Sequence, residues 1–460
     1  MTASDDMSAA EGIVLGRHFD DASHQVGEKI PYAGERHVLL FGPTGTGKGT
    51  RFLIPNLLSS NLNNKSIVVI DPKGELCAVT SDYRRTLGDV VILNPFNVLG
   101  LGSDGFNPLA ALDPKSPNFY DDAAALGEAL IKLEAKDPHW TESAHGLVVA
   151  LIMWVKLLHG DKANLETVRK MLTEAEQRKR YKGSDGKERE QITAGLRVTA
   201  ADMIEKGGYE IASLAGRFAE SSGELSSIRS TADTQTRWIL SEPMRADLKK
   251  PGVDFAQLKY RPTTVYVILP AERMRTHSVW LRLVVVAALR ALYRPGGLRT
   301  VFLIDEMPAL GHLGPLEDAF GLVRGYKVQI AGVFQDLAQL KALYHDRYES
   351  FLANAGVVQG FTPNDLTTAD WMSRRAGKTT VVAASTSEHR PHAGGPASQG
   401  VNWNQVGRPL YLPQELMGFA EGTGLLWLAG MANGVRFFAP PYWKIATCAA
   451  RAKPNPYFEA

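Results

Sequence analysis

The chain has 460 residues, 44% of them hydrophobic and 22% charged, a globular composition with room for two or more domains. A formal charge of +2 excludes a global field that would draw the protein onto nucleic acid, so any DNA contact has to be local. Cys77 and Cys448 are the only cysteines, which excludes a disulfide framework and a cysteine-only zinc site and points to a reducing cytosol.

Residues 1–36 carry Asp5, Asp6, Asp20 and Asp21 and no basic-then-apolar signal sequence, and are read as an N-terminal lead-in. From His37 the pattern turns β/α. HVLLF (His37–Phe41) is a short apolar strand that runs into the glycine-rich GPTGTGKGT and then the helix-compatible RFLIPNLL. SIVVID (Ser66–Asp71) and DVVILN (Asp89–Asn94) are the next strands. Unbroken Val/Ile/Leu runs of this kind suit a parallel sheet covered on both faces.

Between about Asn107 and Tyr260 the strand signal disappears and Ala/Leu/Glu-rich helical periods take over. The run Arg169–Glu190, with eight Lys/Arg and five Asp/Glu, predicts a solvated helix and loop. GLVVALIMWVKLL from Gly146 is broken by Lys156 and shorter than the ~20 residues that cross a bilayer. It reads as a core helix, as does LRLVVVAALRALY with Arg282 and Arg290. The chain itself is therefore expected to be soluble, with an anchor either removed or absent. Trp140, Trp154 and Trp280 read as core aromatics.

Strands resume at TTVYVIL (from Thr263), RTVFLID (from Arg299), YKVQIAGVF (from Tyr326) and AGVVQGF (from Ala355). Ala384–Gly400 is Gly/Pro/Ser/His-rich and predicts a mobile loop, after which GLLWLAG and GVRFFAP offer two closing strands. The expected fold is α/β, a RecA-like P-loop NTPase with a mainly parallel sheet interrupted by an all-α insertion. Its nucleotide-binding domain comprises residues 37–114 and 255–445, the insertion residues 115–254, and a tail residues 446–460.

The chemistry is concentrated at strand ends. In Gly42, Pro43, Thr44, Gly45, Thr46, Gly47, Lys48, Gly49 and Thr50, the glycines let the backbone fold tightly so that successive N–H groups point at one anion. Lys48 then reaches the β- and γ-phosphates of ATP. Gly49 stands where a hydroxyl normally meets Mg²⁺. Thr50 is no simple substitute, because one helix residue on is rotated by ~100°. VFLIDE (Val301–Glu306) delivers an acidic pair to the carboxyl end of a buried strand. Asp305 is expected to hold Mg²⁺ through water, and Glu306 to deprotonate the attacking water. Gln335, closing its own apolar strand, is either a γ-phosphate sensor or the cap of the helix DLAQLKALY.

These residues together resemble the cytoplasmic part of the type IV secretion coupling proteins, the TraG-type conjugation ATPases. The resemblance runs from about residue 27 to 440. It is carried by GPTGTGKG, IDPKGEL (Ile70–Leu76), FNPL (Phe106–Leu109), DPHW (Asp137–Trp140) and LIDEMPALG (Leu303–Gly311), then the Gln335 strand, TADWMSRRAGKTTV (Thr368–Val381) and RPLYLPQEL (Arg408–Leu416). Gly after the loop lysine is usual in one branch of that family. The resemblance implies a hexameric ATPase at the inner-membrane mouth of a secretion channel, on the cytoplasmic side. Its cargo would be a relaxase–DNA complex or effector proteins, the insertion its recognition domain, and its DNA contacts local and of the pore type. Membrane association would come through a missing anchor or a partner. Asp71 and Lys73 fall in the DPKGE element with no role assigned. A ring ATPase also needs an arginine from a neighbouring subunit, for which Arg324, Arg374 and Arg375 are all available. Two other readings compete: a double-stranded DNA translocase of the septal or repair kind, and a non-hydrolysing nucleotide-gated adaptor.

Overall fold

The computed structural model describes residues 12–132, 138–219, 223–389 and 398–458. The chain divides into two compact units, residues 1–62 with 330–450, and residues 63–329 with 451–460.

The first unit is built on strands in the order Val26–Tyr32, Ile13–Phe19, Val435–Phe438, Thr423–Leu428, Ala355–Phe361, His37–Phe41 and Val328–Phe334. His37–Phe41 is buried throughout and has parallel neighbours on both sides, Val328–Phe334 and Ala355–Phe361. Its apolar side chains have no solvent face to alternate toward, which is why the sequence reads as one unbroken run. The His37 ring fixes the start of the register, its Nδ1 accepting the Ile330 N–H at 3.0 Å. Beyond Ala355–Phe361 the pairing turns antiparallel. Gly424 is required there, because a Cβ would lie 2.0 Å from the Gly360 carbonyl oxygen.

Part of the expected lead-in is sheet: Ile13–Phe19 pairs antiparallel with Val435–Phe438 and with Val26–Tyr32. Side-chain amides moor it. The buried Asn56 accepts the Val14 N–H at 2.8 Å and donates to the Val14 carbonyl at 2.9 Å, and Gln359 donates to the Leu15 carbonyl at 2.9 Å. A second departure is a two-stranded ribbon, Lys378–His389 with Ser398–Pro409, paired in register from Lys378↔Pro409 to His389↔Ser398. It takes in both ends of the Ala384–Gly400 stretch expected as loop; residues 390–397 lie outside the described residues. The Thr/Val run KTTVV, favourable to strand, outweighs the turn-rich composition that follows it.

The second unit holds four parallel strands in the order Thr300–Ile304, Ser66–Ile70, Thr263–Val267, Asp89–Leu93. Trp280 and Leu281 of the helix Ala271–Leu292 are wholly buried. The long insertion is helical at Phe119–Leu130, Pro138–His159, Leu165–Thr173, Leu196–Lys206, Gly208–Ala215, Gly223–Thr236 and Glu242–Asp247. Asp137, the first residue of the DPHW motif, lies outside the described residues. Pro138–His159 is the one described helix long and apolar enough to cross a bilayer, and 67% of its apolar window is buried within the protein. Trp154 is buried in it, whereas Trp140 is half-buried beside His139.

The insertion is not wholly α. Gln177–Lys182 and Glu188–Ala194 form an exposed antiparallel hairpin where a solvated helix and loop were expected. Its turn contains Asp185-Gly186, with Gly186 at φ +74° and Gly183 N–H on the Lys187 carbonyl at 2.9 Å. Cross-strand charge holds the rest, Arg178 reaching Glu190 at 3.3 Å.

Candidate nucleotide site

In the first unit, the strand His37–Phe41 hands the chain directly to the glycine-rich loop. The Gly42 N–H donates to the Phe334 carbonyl at 3.1 Å, fixing the loop's first residue to the end of the neighbouring strand. Gly45 and Gly47 then take φ of +88° and +80°, the left-handed region that an L side chain resists. A tight helical turn over Gly49–Leu53 continues as Ile54–Leu58. The Lys48 ammonium folds back over the loop and donates to the Gly42 carbonyl and, at 3.0 Å, to that of Pro43. Thr46 closes the loop from within, its hydroxyl on the Pro43 carbonyl at 2.8 Å.

At Gly49 an added Cβ would meet nothing within 4 Å. Thr50 is buried, with its hydroxyl turned back onto the Gly47 carbonyl at 3.3 Å, so it does not stand in for the missing hydroxyl. Arg51 anchors the helical turn by pairing with Glu421 and donating to the Ala439 carbonyl at 2.9 Å. A cavity of about 320 Å³ adjoins the loop, lined by Thr44, Gly45 and Thr46 with Phe361, Thr362, Asn364, Phe419, Glu421 and Gly422. The sequence does carry a signal for it, the turn residues TPN after the strand Ala355–Phe361 and Glu421-Gly422 before Thr423–Leu428. Nothing in the spacing of these two segments brings them to the loop.

Gln335 follows directly on Phe334, and its backbone N–H donates to Gln339 Oε1 at 2.9 Å. The cap of the next helix is Asp336, which accepts the Gln339 N–H at 2.8 Å, so the capping role weighed for Gln335 is filled by its neighbour. Of the arginines, Arg375 lies against two indoles, 5.0 Å from the Trp371 centroid and 5.2 Å from that of Trp427. Burial lowers its pKa. Arg374 and Arg324 are exposed.

In the second unit, the acidic pair sits at the carboxyl end of Thr300–Ile304. The Asp305 N–H donates to the Ile70 carbonyl at 3.2 Å, and the Asp71 N–H to that of Val267 at 2.9 Å, so three strand ends meet. Asp305 and Glu306 are half-buried. Asp71 is wholly buried: one carboxyl oxygen accepts the Cys77 N–H at 2.9 Å at the start of the helix Glu75–Arg85, and the other has no hydrogen-bond partner. Burial first, with Asp305 and Glu75 adding to it against the Cys77 N–H, pushes the Asp71 carboxyl up to about 8. Gly74, at φ +71°, makes the turn from DPK into the helix.

The C-terminal tail returns to this element. Lys453 N–H donates to the Val79 carbonyl at 3.0 Å, Asn455 to Glu75 at 2.7 Å and the Tyr457 hydroxyl to the Lys73 carbonyl at 2.8 Å. Composition gave no hint of these contacts.

Strand, glycine loop, folded-back lysine and helical turn define a RecA-like P-loop NTPase fold. In solved structures it is similar to the bacterial conjugative coupling protein TrwBΔN70 in its unbound form, with a TM-score of 0.64 and 17% identity, covering 96% of this chain and 92% of that one. It is likewise similar to TrwB bound to the non-hydrolysable ATP analogue ADPNP, with a TM-score of 0.64 and 16% identity over 95% and 91%. The chain belongs to the type IV secretory system conjugative DNA transfer family, whose model matches residues 3–453. The resemblance carried by GPTGTGKG, IDPKGEL and LIDEMPALG is thus borne out. Among individual relatives, the conjugal transfer protein TraG of Rhizobium radiobacter is 27% identical over 413 residues, 86% of this chain and 60% of that protein. The coupling protein VirD4 of Bartonella henselae is 27% identical over 405 residues, 84% and 59% respectively. The chain therefore spans about 60% of the length of these curated relatives.

Proposed function

We propose that this coupling protein is an ATP-driven motor that recruits a relaxase–DNA complex or effector proteins and passes them to a type IV secretion channel. The observation that supports this most is the phosphate loop itself, in which two glycines take the left-handed region and Lys48 waits on the loop's own carbonyls. An arriving triphosphate replaces those carbonyls as the acceptor of Lys48, while N–H groups of the loop beyond Pro43 take the phosphate oxygens.

Magnesium fits the donor set. Among the described residues no group of three or more His, Cys, Asp or Glu could hold a metal on its own. The half-buried Asp305 and Glu306 offer hard oxygen donors of the kind magnesium takes beside phosphate and water. Asp305 would hold it through water, and when bound it would neutralise charge developing on the phosphates. Glu306 takes the proton of the attacking water, and Gln335 senses the γ-phosphate. Residues 115–254 recognise cargo, and activity requires a homo-hexamer whose pore makes the local DNA contacts. The motor works at the cytoplasmic face of the inner membrane, held there by an anchor or a partner.

Gly49 favours one other reading, a nucleotide-gated adaptor that does not hydrolyse, because no hydroxyl follows Lys48 and Thr50 points elsewhere. Steady-state ATP hydrolysis, with and without DNA, decides between them. Turnover that is stimulated by DNA and abolished in Lys48→Ala is the expected result. Nucleotide binding without turnover, at any protein concentration, would establish the adaptor.

A further inference from the structure

A larger cavity, about 860 Å³, lies elsewhere in the second unit, between the helices Gly223–Thr236 and Ala271–Leu292. One wall comes from successive turns of the first helix, Ser230, Thr231, Thr234 and Gln235, and the other from Arg273, Thr276 and Arg282 of the second. Among the described residues no carboxylate lines it, whereas Lys132, Arg237, Arg273 and Arg282 all do. In a chain whose formal charge is only +2, that is a local concentration of cations beside a row of hydroxyls.

The rim is held in place. Gln235 accepts the Lys132 N–H and donates to its carbonyl at 3.2 Å, fixing Lys132 against the first helix. Arg273 lies 5.7 Å from the Phe96 centroid on the opposite side. Arg237 pairs with Asp233 at 2.8 Å and its charge is largely answered there, so Lys132 and Arg273, both exposed, are the cations presented at the rim.

We propose that this groove binds the sugar–phosphate backbone of single-stranded DNA. Thr231 and Thr276 spend their hydroxyl protons on the carbonyls of Ser227 and Arg273, which leaves the Ser230 and Thr234 hydroxyls between the cations. That arrangement is a match for a chain of phosphates and sugars and for contacts that position a strand without reading its sequence. A concave groove admits one flexible strand, while a rigid duplex reaches only the rim. A purely acidic peptide would use the cations but not the intervening hydroxyls.

The test is fluorescence anisotropy of a labelled single-stranded oligonucleotide with the full chain across a salt series. Reversing both rim charges, Lys132→Glu with Arg273→Glu, should weaken binding at least ~10-fold at low salt. It should also lower the salt slope by about 1.4, two phosphate contacts at ~0.7 each. Adding a cation on the same wall, Ser230→Lys, should tighten binding and raise the slope, and it reports even if the double variant fails to fold. Lys48→Ala should bind the oligonucleotide like wild type, which separates this site from the nucleotide loop. Wild-type affinity in the double variant, no response to Ser230→Lys, equal competition by polyglutamate, or no oligonucleotide binding by the wild-type chain would each overturn the proposal.

Discussion

Arg375 lends itself to a quantitative test, because two roles for it predict opposite results. Its guanidinium lies against the rings of both Trp371 and Trp427, which meet edge to face, and Trp427 belongs to a buried cluster with Met372, Ala376, Leu416 and Leu425. A cation over an aromatic face is worth ~0.5–1 kcal/mol when exposed and ~2 when desolvated, so a half-buried guanidinium against two rings gains about 2 kcal/mol in all. In a body of this size 1 kcal/mol moves the melting temperature by ~2–4 °C. Arg375→Ala should therefore melt about 4–8 °C lower, with Arg375→Lys recovering part of the loss. The assay is thermal denaturation followed by tryptophan fluorescence, because both rings change environment, run beside ATP turnover well below the transition. Retained turnover per folded molecule identifies a structural arginine. An unchanged melting temperature together with a loss of turnover beyond ~100-fold would refute the packing role and make Arg375 the finger supplied to a neighbour.

Glu306→Gln should bind ATP like wild type yet turn it over at least ~100-fold more slowly, the scale of a lost general base; loss of nucleotide binding instead would make it a metal ligand. Gly49→Ser should fold normally, since the Cβ position is open, and should tighten Mg²⁺ dependence in nucleotide titrations; an unchanged magnesium requirement would mean the hydroxyl does not reach the ion. Activity per subunit should rise with protein concentration, because a neighbour's arginine can supply up to ~10³–10⁵ in rate; sedimentation alongside a hundredfold dilution checks it, and flat activity in monomers would exclude the ring.

What was legible in the sequence was what burial writes there. His37–Phe41, Ser66–Ile70, Thr263–Val267 and Thr300–Ile304 are covered on both faces, so each is a continuous apolar run, and candidate site residues follow the carboxyl ends of His37–Phe41, Ser66–Ile70 and Thr300–Ile304. Strands that keep one face in water were missed. Ile13–Phe19 includes Gly16, Arg17 and His18, and owes its place to amides from Asn56 and Gln359, far away in sequence. The hairpin at Gln177–Ala194 is charged from end to end and has almost no apolar alternation to read. The cavity beside the loop was illegible for a related reason. Its walls at Phe361–Asn364 and Phe419–Gly422 are assembled by strand pairing, and turn residues in a sequence do not say which strands will be neighbours.

The strand that carries the phosphate loop is paired only with segments made much later, Val328–Phe334 and Ala355–Phe361. On a ribosome, roughly 300 residues separate His37–Phe41 from those neighbours, a delay of about 15–60 s at ordinary elongation rates. During that interval the loop exists as sequence but lacks the carbonyl of Phe334 that fixes Gly42. The contact that fixes the loop's first residue thus cannot form until Phe334 has been made. On the function proposed above, subunits lacking those two strands would be kept out of the nucleotide cycle by the order of their own strands.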